Sequence, residues 1–341
     1  MRSTLSFDEA LGRAEEIHKK THLLLGNGFS IAARPESFRY GRLLEEADLD
    51  VLSVSGEGLF ANEETTDFEA VIRALRTTAR MIDFYETRDR KLAKRLVADA
   101  ESLKGVLAAT LANKHPDYVG AISDDEYQAV RRFLGHFERF YTLNYDLLLY
   151  WALMQDFEPQ VRHDDGFRAD PDDPDAPWVA WNDYNQYGQN VYFVHGGLHL
   201  YVDRATLRKL TFKRTDVPLM GQIRDQLDDG VFPLVVTEGT SEEKHAAILR
   251  HGYLAKSLRS LASCEGSLFI HGHSLDPNDR HVLRGIIEGK FKALFVSLYG
   301  KPNSRANQAI RRRAVALAHE RPERKPLSVE FYDADSAAVW G

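Results

Sequence analysis

The strongest constraint on this chain is a recurring pattern of short apolar runs, each ending at glycine or a small polar residue and each followed by a segment with helical spacing. Thr21–Leu25 stops at Gly26-Asn27-Gly28. Residues 139–143 stop at Asn144-Tyr145-Asp146, Val191–Val194 at His195-Gly196-Gly197, and Ser267–Ile270 at His271-Gly272-His273-Ser274. Uninterrupted apolar runs of this length are the mark of parallel strands covered on both faces. Further runs at Leu198–Val202, Phe232–Val236, Ala293–Leu298 and Leu327–Tyr332 extend the series. Strands alternating with helices over most of the chain predict an α/β fold, a Rossmann-like doubly wound and mostly parallel sheet.

One stretch breaks the alternation. Residues 61–137 contain no strand-like run and are rich in good helix formers. Ser6-Phe7-Asp8-Glu9, Thr66-Asp67-Phe68-Glu69 and Ser123-Asp124-Asp125-Glu126 each match a capping box, the last two opening helices inside this stretch. The expectation is one α/β domain over 1–341 with a helical insertion at 61–137. Residues 156–189 read as a long acidic, aromatic loop, and loops of that length in compact domains are commonly lids. Asp164, Asp165, Gly166 and Phe167 are its expected ligand-contacting stretch.

Composition narrows the class. Forty-four Lys and Arg against 51 Asp and Glu give a net charge of −7, so a global electrostatic footprint for nucleic acid is absent. A single cysteine, Cys264, excludes an internal disulfide and a four-cysteine zinc site. No run of about 18 apolar residues marks a membrane span, and the first residues lack the apolar core of a signal peptide. A cytoplasmic protein is expected.

In doubly wound sheets, ligands bind beyond the carboxyl ends of the strands. If the four glycine- or Asn-ended strands are parallel, their ends share one edge. Gly26-Asn27-Gly28-Phe29-Ser30 supplies the close backbone approach and helix start that suit a pyrophosphate, although Ile31 stands where the dinucleotide fingerprint has Gly or Ala. A tight strand-to-helix turn is the alternative. Asn144 and Asp146 read equally as helix caps. Metal and hydrolase readings fit poorly: His195 and His199 are separated by Gly-Gly and lack the HExxH glutamate, and Ser274 lacks a G-x-S-x-G elbow. No metal is expected.

Taken together and in order, GNGFS, TLNYD, HGGLH and GHSLDPND resemble the sirtuin-like NAD-consuming domains, most closely the prokaryotic branch found in anti-phage defence. Thr66-Asp67-Phe68-Glu69 and Thr237-Glu238-Gly239-Thr240 are similar to pieces of an uncharacterised bacterial subgroup of that branch. The chain departs from deacylating sirtuins in lacking the four zinc cysteines, which disfavours protein deacylation. The resemblance implies NAD as substrate, cleaved at the nicotinamide–ribose bond in abortive infection. It implies Asn144, His195 and Asp146 as catalytic residues. Gly26, Asn27, Gly28, Phe29, Ser30, Gly196, Gly272 and Ser274 would hold the cofactor. It also implies a homo-oligomer or a partner defence protein, with no membrane and no nucleic acid. Protein ADP-ribosylation, or a non-catalytic sensor of NAD or ADP-ribose, are the alternative activities.

Overall fold

The computed structural model describes residues 4–85, 90–182, 187–237 and 240–341. Glu238 and Gly239, part of one sequence motif, lie outside the described residues. The strands are β1 (Thr21–Leu25), β2 (Arg139–Thr142), β3 (Phe167–Arg168), β4 (Trp178–Trp181), β5 (Val191–Phe193), β6 (Leu200–Asp203), β7 (Thr206–Leu210), β8 (Glu265–His271), β9 (Lys290–Leu298) and β10 (Ser328–Asp333).

Among the described residues, six strands form one sheet in the order β10-β9-β8-β1-β2-β5, and every pairing is parallel. Counted along the chain within this sheet, the order is 3-2-1-4-5-6, that of dinucleotide-binding folds. The chain builds outward from β1 through β2 to β5, then returns to β8 on the other side of β1. The direction of winding therefore reverses between β1 and β8. Every residue of β1 is buried, as a strand covered on both faces requires. On one face, Phe7 of the helix Phe7–Ile17 packs against Phe133 of the helix Asp124–Leu134 and against Phe269 of β8. Both helices start with the capping boxes read from the sequence, at Ser6 and Ser123.

The helical layer consists chiefly of Phe68–Tyr85 and Lys91–Lys114, packed side by side. Its apolar residues, among them Ile72, Leu103 and Leu107, join the same core as the sheet. The expected capping box at Thr66 does not form. Asp67 takes the cap instead, its Oδ1 accepting from the backbone N–H of Glu69 at 2.9 Å, and the Glu69 side chain is released for other bonds.

Two further expectations are corrected. Residues 156–189 are not simply a loop: β3 and β4 arise within them and join β7 and β6 in an antiparallel sheet ordered β3-β4-β7-β6. Phe167 is buried against Tyr253, and Asp165 pairs with buried Lys209. The run Phe232–Val236 is extended but is not a sheet strand. It crosses the turn after β5, making a single antiparallel bridge between Val235 and Gly196.

Candidate functional site

The carboxyl ends of β1, β2, β5 and β8 open onto one cavity of about 870 Å³. This is within the usual range for small-molecule sites, roughly 300–1,000 Å³. Gly26, Asn27, Gly28, Asn144, Asp146, His195, Gly272 and Ser274 all line it. The helical layer contributes Asp67, Glu69, Leu107 and Leu111, so it forms part of the cavity wall. None of residues 156–189 contributes to the wall among the described residues. The contact stretch expected at 164–167 is instead committed to the second sheet.

The two glycine loops at the reversal point lie directly on each other. Gly28 N–H donates to the Gly272 carbonyl at 2.8 Å, and Gly26 N–H to the His271 carbonyl at 3.0 Å. A Cβ on Gly28 would sit 2.6 Å from Gly272 Cα, so this approach demands glycine. Both of these amides are therefore satisfied within the protein, and the glycines act first by letting the β1 and β8 loops touch.

At the end of β2, Asn144 is fixed by a short polar chain. Its Nδ2 donates to the Gly26 carbonyl at 3.1 Å and to Ser30 Oγ at 2.9 Å. Ser30 in turn donates to Asp146 Oδ2 at 2.5 Å, and Asp146 Oδ1 accepts from Leu148 N–H at 2.9 Å. With both Nδ2 hydrogens committed, Asn144 can offer the cavity only its carbonyl Oδ1, an acceptor. Burial pushes the Asp146 carboxyl above its ordinary range, against the donors Ser30 and Leu148. Ser30, Phe29 and Gly196 do not line the cavity. Ser30 is the buried link between Asn144 and Asp146, and Phe29 packs against Trp340 with ring centroids 5.0 Å apart. Gly196 has φ +81°, and a Cβ there would lie 1.9 Å from the Leu234 carbonyl oxygen. It is required by the crossing segment, not by a ligand.

His195, at the end of β5, lines the cavity while being only 3% exposed. Its Nε2 faces His281 Nε2 at 2.8 Å and lies 3.9 Å from Asp279 Oδ1. Burial holds His195 down to about 3 despite that carboxylate, and Lys244 adds to the effect. His195 is therefore a neutral imidazole at physiological pH.

Behind it runs a set of charges that the sequence reading did not single out. Lys244, 1% exposed, lies between Glu69 of the helical layer and Asp279, 3.3 Å from the latter. Glu69 also accepts from the Tyr145 hydroxyl at 2.9 Å. Asp279 Oδ2 meets His273 Nε2 at 2.9 Å, and the Leu275 N–H donates to His273 Nδ1 at 3.1 Å. The Nε2 of His273 therefore carries the proton and donates to Asp279. Burial opposes the charge on Asp279, but His273 and Lys244 hold its carboxyl well below the usual range. Burial likewise opposes the Lys244 ammonium, yet Glu69 and Asp279 hold it above its usual value.

His195, His281 and Asp279 bring one ligand-type atom each within 4.8 Å of one another, a spacing that a metal ion could span. The Lys244 ammonium, 3.3 Å from Asp279 Oδ1, competes for the same carboxylate oxygen and adds positive charge beside it. The His195 and His281 Nε2 atoms are also within hydrogen-bond distance of each other, at 2.8 Å.

These features define a class: an α/β protein with dinucleotide-type strand order whose cavity, at the reversal point, is lined by an Asn carbonyl and a neutral histidine. The chain belongs to the family described as a domain of unknown function (DUF4917), which matches residues 23–340. That match takes in all of the sheet but the first two residues of β1, the helical layer and every residue of the cavity named above. No curated protein matches the chain. No helix among the described residues is long and apolar enough to cross a membrane.

Proposed function

We propose that this protein hydrolyses NAD+, releasing nicotinamide and ADP-ribose. The observation that carries the reading is the convergence of Asn144, His195 and the two glycine loops on one cavity at the reversal point of a 3-2-1-4-5-6 sheet. Nicotinamide is cationic in NAD+ and leaves as a neutral molecule, so its departure needs no general acid. The transition state resembles an oxocarbenium ion, as in other glycosyl transfers. The Asn144 Oδ1 acceptor suits a ribose hydroxyl or the attacking water. Neutral His195 takes the proton of that water, and Asp146 holds Asn144 through Ser30. Gly26, Asn27, Gly28, Gly272 and Ser274 border the space for the phosphates and the adenosine half.

The reaction proceeds without a metal and continues in EDTA. Following the resemblance to the anti-phage branch, the enzyme acts in the cytoplasm as an abortive-infection effector. Its activity is restrained by self-assembly or by a partner protein, because free NAD+ destruction would kill the host. The test is to incubate purified protein with NAD+ and separate the products. Nicotinamide with equimolar ADP-ribose supports hydrolysis, whereas label retained on protein indicates a transferase. Binding without product would favour a sensor.

A further inference from the structure

We infer that the aromatic, basic tip of the helical layer docks into the acidic groove formed by residues 41–66 of a second copy of this chain. The inference gives the proposed self-assembly a surface and rests on that reading. Neither feature takes part in the chemistry assigned to the cavity.

The tip is where the helix Phe68–Tyr85 ends and the helix Lys91–Lys114 begins. Phe84 and Tyr85 are 77% and 78% exposed, with their rings edge to face at 5.4 Å between centroids. Met81 and Leu92 add exposed apolar surface beside them. Aromatic side chains carry a large buriable area on few rotatable bonds and are the usual anchors of protein interfaces. The surrounding charge is basic: residues 83–95 carry five Lys and Arg against three Asp and Glu. Lys94 and Arg95 are exposed near the start of the second helix.

The groove has the opposite character. It encloses about 1350 Å³ and is lined only by residues between Gly41 and Thr66. That is larger than small-molecule sites, which run to roughly 1,000 Å³, and suits a protein segment. Leu49, Leu52 and Phe60 give it an apolar lining, and Asp48, Asp50 and Glu57 line it as exposed acids. Residues 41–66 carry seven Asp and Glu against one Arg. That residue, Arg42, is already paired with Glu36 and Glu45.

Tip and groove thus match twice, apolar surface to apolar surface and cation to carboxylate. A helical element laid into an apolar groove, with complementary charges fixing its register, is a common docking mode. Phe84 and Tyr85 do not line the groove of their own chain and stay exposed, so the tip that fills it comes from another copy. The contact closes as a reciprocal pair or extends as a chain. It also reaches the candidate site: Thr65 and Thr66 line the groove, while Asp67 and Glu69 line the cavity. A docked copy therefore touches the segment that carries Asp67.

The test is sedimentation velocity of the full chain over a wide range of concentration, with circular dichroism confirming that each variant is folded. Wild type should associate, and added salt should weaken the association. Lys94→Glu with Arg95→Glu, or Asp50→Lys with Glu57→Lys, should each weaken it at least about tenfold, because like charges then face each other. An equimolar mixture of those two proteins should associate again, since each tip then meets a groove of opposite charge. Phe84→Ala with Tyr85→Ala should weaken association by about tenfold or more without any change of charge. Association of wild type that none of these substitutions alters would overturn the inference and leave self-assembly standing through another surface. A wild type that stays monomeric throughout would overturn both, and so would a tip that binds phosphatidylglycerol vesicles while the protein remains monomeric. If the groove variant does not fold, the tip variants decide. The readout is mass, so it holds whether or not the protein cleaves NAD+.

Discussion

Lys244→Met is the most informative single perturbation in this fold. Methionine keeps the length and packing of the stem and removes the charge. In the native protein, Lys244 is 1% exposed and is held by Glu69 and Asp279, whose side chains are 15% and 16% exposed. After substitution two carboxylates would face one site with no cation between them. Removing one partner of a buried pair typically costs about 3–5 kcal/mol, because the remaining charge stays desolvated. His273 still donates to Asp279 and Tyr145 to Glu69, which places the expected loss toward the lower end of that range.

The assay is urea unfolding followed by circular dichroism at several pH values, with Glu69→Gln and the double substitution completing a cycle. At neutral pH the double variant should be less unstable than the sum of the single losses, since each removes the reason for the other charge. The pH dependence has a definite sign. Asp279 is depressed in the native protein, so its contribution is present above the unfolded carboxyl value and is lost as pH falls through the folded one. Lys244 is raised, so its contribution is present below the unfolded amine value and is lost as pH rises through the folded one. The deficit of Lys244→Met should accordingly be largest near neutrality and shrink in acid, where the orphaned carboxylates protonate. A loss below about 1 kcal/mol at pH 7, or a deficit that does not change with pH, would refute the argument.

Other expected outcomes follow from single contacts. His195→Ala and Asn144→Ala should each lower nicotinamide release by about 10²- to 10⁴-fold while the circular dichroism spectrum stays native. Product formation should persist after dialysis against EDTA, and activity restored only by one divalent metal would show that His195, His281 and Asp279 hold an ion after all. Gly196→Ala should destabilise by more than about 2 kcal/mol, since left-handed backbone alone costs an L-residue roughly 1–2 kcal/mol. Its methyl would also meet the Leu234 carbonyl. Unchanged urea midpoints for that variant would show that the crossing segment moves aside cheaply.

Much of the fold was legible because the central strands are buried on both faces and so read as plain apolar runs. β1, β2, β5 and β8 all lie within a residue or two of where their runs predicted them, as do the turns that follow. The second sheet was harder to see. β3 has only two residues, Phe167 and Arg168, and the Trp178–Trp181 run of β4 shows no apolar–polar alternation. Phe232–Val236 misled in the opposite direction. Its run is apolar because it packs over the turn after β5, and Pro233 removes one of the N–H groups a ladder would need.

The candidate site divides along a similar line. Asn144 and His195 stood out because a polar residue at the mouth of an apolar strand is conspicuous. Glu69 was hidden by a local explanation, the capping box, which Asp67 displaced. Lys244 follows two glutamates in the helix Ser241–Leu249, where composition reads as a solvated face. Only the docking of the helical layer converts that lysine into a buried one. Asp279 was in view within GHSLDPND, but its role depends on His273 folding back onto it and on the approach of His195 from the end of β5.

That docking also supplies an internal control, because the same two helices are bridged twice. Adjacent residues of the helix Ser241–Leu249 reach the helix Phe68–Tyr85: Glu243 pairs with Arg80, and Lys244 pairs with Glu69. Arg80 has a side chain 52% exposed, while that of Lys244 is 2% exposed. Water and salt screen the first pair, and exposed pairs contribute about 0–1 kcal/mol. Arg80→Ala should therefore change stability by less than about 1 kcal/mol, with an effect that disappears in high salt. Lys244→Met should lose several times more and respond weakly to salt. Equal losses for the two substitutions would mean that the bridges serve only to dock the helices and that burial of Lys244 carries no special weight. Unequal losses of the expected order would mean that the helical layer is fastened to the sheet at the cavity wall, through the charges that surround His195.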